Sequence, residues 1–167
     1  MRSGIAAVAY ALCIALSMQG CSTSQLGYAP DGAIDGSLPG ARKMLDLAQT
    51  HFVEGQYGKA AETYAKTVEV DPQNAEAWLG LAASYDQIRR FDQADAAYAK
   101  VQELTGATPN VLNNLGYSYL LRGNLERSRV TLAAAQQGDP YNPYILNNID
   151  MLNARLAETG KPPVAPR

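Results

Sequence analysis

The sequence predicts an all-α fold, a solenoid of stacked helical hairpins with three repeats and a C-terminal capping helix. Three observations lead to this prediction. Residue types recur every 34 positions, apolar residues within each unit follow a helical period, and residues that favour helix ends occupy equivalent places in successive units. A chain of 167 residues with 47% hydrophobic and 18% charged residues is compatible with one folded domain.

The repeat is visible as ladders of similar residues at a spacing of 34. Large apolar residues and small residues each keep their own register along the chain. Three of these ladders are Leu47, Leu81, Leu115 and Ile149; Met44, Trp78, Leu112 and Leu146; and Ala48, Ala82 and Gly116. The predicted units are residues 41–74, 75–108 and 109–142, followed by a capping helix at 143–158. Because one unit alone cannot bury its apolar face, the units are expected to stack.

Each unit is predicted to contain two helices joined by a tight turn. In residues 75–88 and 91–104, apolar side chains fall on one face of a helix at about 100° per residue. Gly55 and Gly123 mark the turns of the first and third units, because glycine readily adopts the left-handed conformation that ends a helix. Arg89 stands at this place in the middle unit, so that turn is expected to differ.

The starts of the first helices are marked as well. Asn74, Thr108 and Asn142 are favourable N-cap residues. Pro109 and Pro143 follow two of these caps, at the first helical position, where a missing backbone donor costs nothing. The caps therefore agree with the unit boundaries that the repeat predicts.

These features resemble the tetratricopeptide repeat (TPR). The resemblance covers residues 41–142 as three units, with the closing helix near 143–158. The residues that carry it are Trp78, Leu81, Tyr85, Ala94 and Tyr98 of the middle unit, together with Pro72 and Pro140. The resemblance implies a superhelix in which the first helix of every unit lines a concave groove.

The face of each first helix that lies opposite the predicted core is expected to bind a protein or peptide partner. It combines apolar side chains with amides, and an Asn side chain offers both a donor and an acceptor to a partner backbone. The predicted groove residues are Leu45, Gln49, Phe52, Leu79, Ala83, Asn110, Asn113, Tyr117 and Leu120. The alternative is that some of them contact the next helix or the N-terminal linker.

Composition and motifs argue against other classes of function. The chain has 14 basic and 16 acidic residues, a net charge of −2, which gives no reason to expect nucleic acid as a partner. Both cysteines lie near the N-terminus, and His51 is the single histidine, so neither thiolates nor histidines can form a metal site. Phosphate-binding loops and nucleophile motifs are absent from the sequence. We therefore predict no enzymatic activity, no cofactor and no metal.

Residues 1–20 are predicted to be a lipoprotein-type signal peptide. Arg2 precedes the apolar run 5-IAAVAYALCIALSM-18, which is shorter than the roughly 20 residues that a transmembrane helix needs. The stretch 17-SMQGC-21 resembles a lipobox, with a small residue before the cysteine and less typical residues ahead of it. The resemblance implies lipid attachment at Cys21. The alternative is ordinary cleavage a few residues later, which would give a soluble periplasmic protein.

Acylation of Cys21 would anchor the protein to a membrane, because each buried CH₂ of the acyl chains contributes about 0.8 kcal/mol. Ser22, at the position next to the cysteine, implies by the same resemblance the periplasmic face of the outer membrane. Residues 21–40 are rich in Ser, Gly and Pro and are predicted to be a flexible linker. Residues 159–167 are predicted to be a disordered tail, because their prolines cannot continue a helix.

The chain also resembles the TPR lipoproteins of tight-adherence (Tad/Flp) pilus systems, the TadD type. This resemblance rests on 112-LNNLGYSYLLRGNLERS-128 and 139-DPYNPYILNNIDML-152, together with the N-terminal signal. It implies an outer-membrane lipoprotein that assists pilus or secretin assembly, with a secretin or a pilus-assembly component as its partner. The alternative is a periplasmic TPR scaffold lipoprotein that recruits peptidoglycan hydrolases or outer-membrane assembly factors.

Overall fold

A computed structural model describes residues 39–164, in which there are seven α-helices and no strand. The helices are α1 (Pro39–Val53), α2 (Tyr57–Val70), α3 (Ala75–Gln87), α4 (Phe91–Thr105), α5 (Pro109–Leu121), α6 (Leu125–Gly138) and α7 (Pro143–Glu158). They confirm the predicted all-α fold of three hairpins and a closing helix. The predicted signal peptide, Cys21 and nearly all of the predicted linker lie outside the described residues, as do residues 165–167.

The helices pack as three successive hairpins, α1 with α2, α3 with α4, and α5 with α6, and α7 closes the stack against α6. The first helix of each hairpin also contacts the first helix of the next unit, so α1 reaches α3, α3 reaches α5 and α5 reaches α7. Within residues 39–164, the second helices α2, α4 and α6 make no such contacts with one another. The helices α1, α3, α5 and α7 therefore line the shorter, inner side of the stack, and we call them the inner helices.

The predicted N-caps form in the structure. The side-chain oxygen of Asn74 accepts a hydrogen bond from the backbone N–H of Ala77 at 2.9 Å, and Asn142 caps α7 in the same way. Thr108 caps α5 through a longer hydrogen bond of 3.4 Å from the N–H of Val111. These bonds satisfy backbone donors that have no partner inside a helix, and they fix where the inner helices α3, α5 and α7 begin.

The turn inside each hairpin places one residue in the left-handed region. In the first and third hairpins this residue is glycine, with φ of 74° at Gly55 and 75° at Gly123. In the middle hairpin it is Arg89, with φ of 60°, the one non-glycine residue of positive φ in the part of the chain that the structure describes. The same turn is therefore made in all three hairpins, and in one of them against the steric preference of the residue.

Two apolar clusters form the core. One fills α1 to α4 and the start of α5, and the other lies between α5, α6 and α7. In the first cluster, Tyr64 of α2 is 1% exposed and lies directly over Gly80 of α3, where an added Cβ would come within 2.3 Å of the tyrosine ring. Leu47, which occupies the same repeat position as the buried Leu81, is 49% exposed. No preceding unit covers this side of α1 in the described part of the chain.

Part of the predicted disordered tail packs against the closing helix. The backbone N–H of Val164 donates to Oδ1 of Asn153 at 2.7 Å, and the Val164 side chain is buried in the second cluster. The ammonium group of Lys161 lies 3.1 Å from the carboxylate of Glu126 on α6. Residues 161–164 are therefore not the disordered tail that the sequence predicts. The side chain of Asn153 on α7 hydrogen-bonds both the backbone N–H and the backbone C=O of Val164 and holds this segment against the helix.

The contact between Tyr64 and Gly80 gives a stability prediction. Gly80→Ala should lower the free energy of unfolding by about 2 kcal/mol, because overpacking costs up to about 3 kcal/mol and the better helix propensity of alanine returns about 1 kcal/mol. Urea unfolding followed by circular dichroism measures the change. Gly58→Ala is the matched control, since an added Cβ at Gly58 meets no atom within 4 Å. Equal or higher stability of Gly80→Ala relative to this control would contradict the packing described.

Candidate functional site

The structure places the nine predicted groove residues on the inner helices α1, α3 and α5, but it buries most of them. The buried residues are Leu45, Phe52, Leu79, Ala83, Asn113 and Leu120, all between 1% and 8% exposed. Gln49, Asn110 and Tyr117 keep part of their surface accessible. The partner groove itself stays a prediction, but only these three of its proposed residues face solvent in part.

The expected apolar anchors need correction for this reason. Phe52 is 1% exposed, belongs to the first core cluster and meets the Tyr57 ring edge-on, with the ring centroids 5.2 Å apart. Leu45 and Leu79 lie in the same cluster, and Leu120 lies in the second one. These side chains therefore belong to the packed core and do not line an open groove. They contribute to stacking and are not available to a partner in this conformation.

The predicted amides are likewise engaged within the protein. Asn148 of α7 donates through its side chain to Oδ1 of Asn113 at 2.8 Å, so this buried pair joins α5 to α7. Gln49 donates to Oε1 of Glu76 at 2.6 Å and joins α1 to α3. Asn110 accepts a hydrogen bond from the side chain of its neighbour one turn later. Amide pairing between adjacent inner helices is therefore part of how the units stack.

The accessible surface on the inner helices follows the same repeat. Part of this surface belongs to two ladders at a spacing of 34, and the accessible members of these ladders, which we call the inner stripe, are Gln49, Val53, Gln87, Tyr117 and Leu121. Val53 is 49% exposed, and Tyr117 and Leu121 are partly exposed one turn apart on α5. Accessible apolar side chains of this kind are suited to a peptide whose own apolar side chains need burial.

A buried carboxylate joins the second hairpin to the third. Asp86 of α3 is 2% exposed and occupies the repeat position of Phe52 and Leu120. Its Oδ1 accepts a hydrogen bond of 2.7 Å from the hydroxyl of Ser118 on α5. Its Oδ2 accepts a second one, of 2.9 Å, from the hydroxyl of Tyr98 on α4. One side chain of α3 is thus hydrogen-bonded to both α4 and α5.

Arg122, at the end of α5, completes this network. Its guanidinium donates to the hydroxyl of Ser118 at 2.6 Å and lies 3.5 Å from Oδ1 of Asp86. A second nitrogen donates to the carboxylate of Asp95 on α4 at 2.9 Å. The same group lies over the ring of Phe91, 4.7 Å from its centroid. The positive charge of Arg122 is therefore shared between a buried carboxylate, an exposed carboxylate and an aromatic face.

The titration of this network reflects its burial. Burial raises the pKa of the Asp86 carboxyl, although the hydrogen bonds from Ser118 and Tyr98 and the charge of Arg122 act in the opposite direction. The pKa of the Tyr98 hydroxyl is also raised, first by burial and then by the neighbouring Asp86. Burial alone would lower the pKa of Arg122, but Asp95 and Asp86 raise it, so the guanidinium remains charged. The network therefore pairs the charge of Arg122 with two carboxylates, one of them buried.

Neither a metal site nor a membrane span is found in the region that the structure covers. No three His, Cys, Asp or Glu side chains between residues 39 and 164 come together in a way that could hold a metal ion. Within the same range, every helix is too short or too polar to cross a bilayer.

The hairpin stack and its partly apolar inner stripe define a helical-repeat solenoid of the protein-interaction type. Two tetratricopeptide-repeat family models match the chain, one over residues 51–113 and the other over residues 84–143. Together they span more than half of the sequence, and the chain belongs to the tetratricopeptide-repeat family. A domain of this family indicates a protein–protein interaction module, and its fold is in general a non-catalytic scaffold.

Several known proteins are similar to this chain. Hsp70-Hsp90 organizing protein 2 of Arabidopsis thaliana is 28% identical over 152 residues, which cover 83% of this chain and 25% of that protein. The chain spans a quarter or less of the length of the curated relatives that it matches.

Solved structures show the same fold. The type III secretion chaperone SycD of Yersinia enterocolitica, in complex with a peptide of the translocator YopD, has a TM-score of 0.62 at 20% identity, covering 74% of this chain and 97% of SycD. PilF of Pseudomonas aeruginosa has a TM-score of 0.61 at 21% identity, covering 72% of this chain and 55% of PilF. At these identities the likeness shows the fold alone.

The sequence contained a signal for the buried network that the groove prediction did not use. Asp86 interrupts a ladder that is apolar at Phe52 and Leu120, and an isolated carboxylate at a packed position needs a partner. Ser118 and Arg122 stand one turn apart on the following inner helix and could have been proposed as those partners. Their distance from Asp86 depends on how the units stack, which the periodicity of one chain does not specify.

The raised pKa of Asp86 gives a prediction about stability and pH. A carboxyl whose folded pKa lies above its unfolded value binds a proton more readily in the native state, so its contribution to the free energy of unfolding falls as pH rises through the folded pKa. Asp86→Asn removes this titration. As pH rises above the ordinary aspartate pKa of about 4, the free energy of unfolding of wild type relative to Asp86→Asn should therefore move in favour of the variant.

Urea unfolding at several pH values measures this difference. Asp150→Asn, at an exposed position of α7, is the matched control for replacing an aspartate by its amide. A wild-type advantage over Asp86→Asn that grows with pH would contradict the prediction, because it would require a lowered pKa for Asp86.

Proposed function

We propose that this protein is a non-catalytic TPR lipoprotein that holds a peptide segment of a partner along its inner stripe. The observation that carries this proposal is the accessible apolar pair Tyr117 and Leu121, whose members lie one turn apart on the inner helix α5. Accessible apolar side chains on a rigid, otherwise well-packed face are suited to contacts with a partner. A TPR protein of similar fold, SycD, has been solved with a peptide of the translocator YopD, which supports a peptide as the ligand.

The proposed biological role is assembly of a pilus or its secretin in a tight-adherence system. Support comes from the resemblance of residues 112–128 and 139–152 to TadD-type lipoproteins. The fold likeness to PilF of Pseudomonas aeruginosa is compatible with this role but extends only to the fold. The proposed partner is a secretin or another pilus-assembly component, and the inner stripe is the proposed contact surface. Capture of a peptidoglycan hydrolase or an outer-membrane assembly factor instead would favour a general periplasmic scaffold.

The proposed location is the periplasmic face of the outer membrane, with the domain tethered through acylated Cys21. The support is sequence-based, namely the short apolar run, the lipobox-like stretch before Cys21 and the Ser, Gly and Pro content of residues 21–40. A flexible tether of this kind would let the solenoid reach partners at a distance from the bilayer surface.

Acylation is tested by Cys21→Ser. Without the thiol no acyl chain can be attached, so the protein should move from the membrane fraction to the soluble fraction, measured by fractionation and immunoblotting. Cys13→Ser is the matched control, because this cysteine lies in the apolar run that the signal peptidase would remove, and its replacement should leave the protein in membranes. Retention of Cys21→Ser in the membrane fraction would contradict lipid attachment at this residue.

The inner stripe is tested by the double variant Tyr117→Ala and Leu121→Ala. Loss of two clustered apolar contacts should weaken partner binding by about 2 kcal/mol or more, roughly thirtyfold. Crosslinking and co-purification of the secretin from cell envelopes measure the loss, together with the amount of assembled secretin. Thermal unfolding is followed in parallel, because Tyr117 also packs against the second core cluster.

The matched control removes the same kinds of side chain from outside the inner stripe. Val130 on α6 and Tyr141 in the loop before α7 are 67% and 89% exposed, so Val130→Ala with Tyr141→Ala should leave secretin capture intact. Equal capture by both double variants would show that the partner does not bind the inner stripe. Equal loss would show that the effect is not specific to that surface.

A further inference from the structure

A second candidate binding surface lies where the two turns of the second and third hairpins meet. The turn between α3 and α4 carries Arg89 and Arg90, and the turn between α5 and α6 is flanked by Arg122 and Arg127. Two aromatic rings alternate with these arginines. We call the surface the arginine edge, and its residues are Arg89, Arg90, Phe91, Tyr119, Arg122 and Arg127.

The rings hold the guanidinium groups in place. Arg89 and Arg122 lie over the ring of Phe91, at 5.6 and 4.7 Å from its centroid. Arg122 and Arg127 lie over the ring of Tyr119, at 5.4 and 5.7 Å. A stacked guanidinium keeps its N–H groups directed outward in the plane of the group, where they can pair with a carboxylate through two hydrogen bonds.

Most of the positive charge on this edge is not neutralised by the protein. Arg122 is paired with Asp95, but Arg89, Arg90 and Arg127 form no ion pair with any carboxylate in residues 39–164. The nearby Glu126 is itself paired with Arg129 and Lys161. On a chain with a net charge of −2, this edge is therefore a local concentration of unpaired positive charge. Asp92 is a further exposed carboxylate beside Arg89 and Arg90.

The backbone of Arg89 adds an independent observation. The residue has φ of 60°, a conformation that glycine adopts at the equivalent turns Gly55 and Gly123 without steric cost. An arginine here is unfavourable for folding, and strained residues of this kind are concentrated at binding sites. The arginine side chain is therefore present at this turn although the backbone conformation is unfavourable for it.

A cavity of about 340 Å³, open to solvent, lies beside this turn. It is lined by Arg89, Arg90, Phe91, Asp92 and Gln93. The concave shape and the two arginines are suited to an acidic side chain that enters the cavity. The edge has no exposed large apolar side chain, and its two rings are covered by guanidinium groups, so it lacks the apolar residues with which a protein inserts into a lipid surface.

We propose that the arginine edge binds an acidic peptide segment of a protein partner. Carboxylates of that segment pair with Arg89 and Arg90 at the cavity, and further carboxylates reach Arg127 on the neighbouring turn. This inference does not depend on the proposed pilus function or on the inner stripe, since the contacts come from different residues and a different kind of interaction.

The test uses the full chain in detergent and isothermal titration calorimetry. The probe is hexaglutamate, with uncharged hexaglutamine as its control, and the expected result is binding of hexaglutamate that weakens as salt rises. Arg89→Gln with Arg90→Gln should weaken binding about tenfold or more, because two charge-assisted pairs are lost. The matched control, Lys59→Gln with Lys66→Gln on α2, removes the same charge elsewhere and should change affinity by less than about twofold.

Two further variants separate binding from structure. Arg89→Gly should weaken hexaglutamate binding while the unfolding temperature does not fall, because glycine adopts the positive φ without strain. Asp92→Asn should tighten binding by about twofold, since a repelling charge is removed from the cavity. No binding of hexaglutamate by wild type, equal losses in the arginine and lysine variants, or equal binding of hexaglutamine would overturn the proposal. Binding of glycerophosphoglycerol, the soluble head group of an anionic lipid, in place of hexaglutamate would overturn it as well, in favour of a membrane contact.

Discussion

The packing of each hairpin against the inner helix that follows it is the contact on which the rest of the structure depends. A single hairpin exposes apolar side chains that only a neighbour can cover, so the stability of such a stack resides at the junctions between units. At the first junction the approach is so close that the ring of Tyr64 fills the space that a side chain on Gly80 would need. Of the two ladders of the inner stripe, the one through Val53, Gln87 and Leu121 stays at least partly accessible in all three units, whereas the other is buried at Ala83 in the middle unit.

The junctions also explain which features the sequence predicts and which it does not. Caps such as Asn74 and turns such as Gly55 depend on local backbone chemistry, so they can be recognised from residue type and spacing. Helical periodicity gives only the approximate direction of a side chain around its own helix, and Phe52, assigned to the face opposite the core, meets Tyr57 of α2. The period does not give the distance to the next inner helix, and that distance decides whether such a residue is exposed. Phe52 is therefore buried, whereas Tyr117 retains accessible surface.

At two of these junctions, buried polar groups make each unit specific for the neighbour that it packs against. The carboxylate of Asp86 stands where other units have an apolar residue, and its burial is costly unless partners compensate for the loss of water. Ser118 and Arg122 of the third unit, with Tyr98 of the second, supply those partners. The pair Asn113 and Asn148 has the same role between the third unit and the closing helix. A unit without these side chains would leave a buried polar group unpaired, so the order of the units is specified by hydrogen bonding as well as by shape.

Arg122 connects this interior to the surface. It donates to Ser118 next to the buried carboxylate, and its other side lies against Phe91 and Tyr119 of the arginine edge. The same helix, α5, carries Tyr117 and Leu121 of the inner stripe, so the two candidate surfaces share one rigid element. A partner with an apolar segment and an acidic segment could engage both, and the second contact would then form at a high effective concentration. The two contacts would respond differently to salt, because screening weakens the pairing of exposed charges but not the burial of apolar surface.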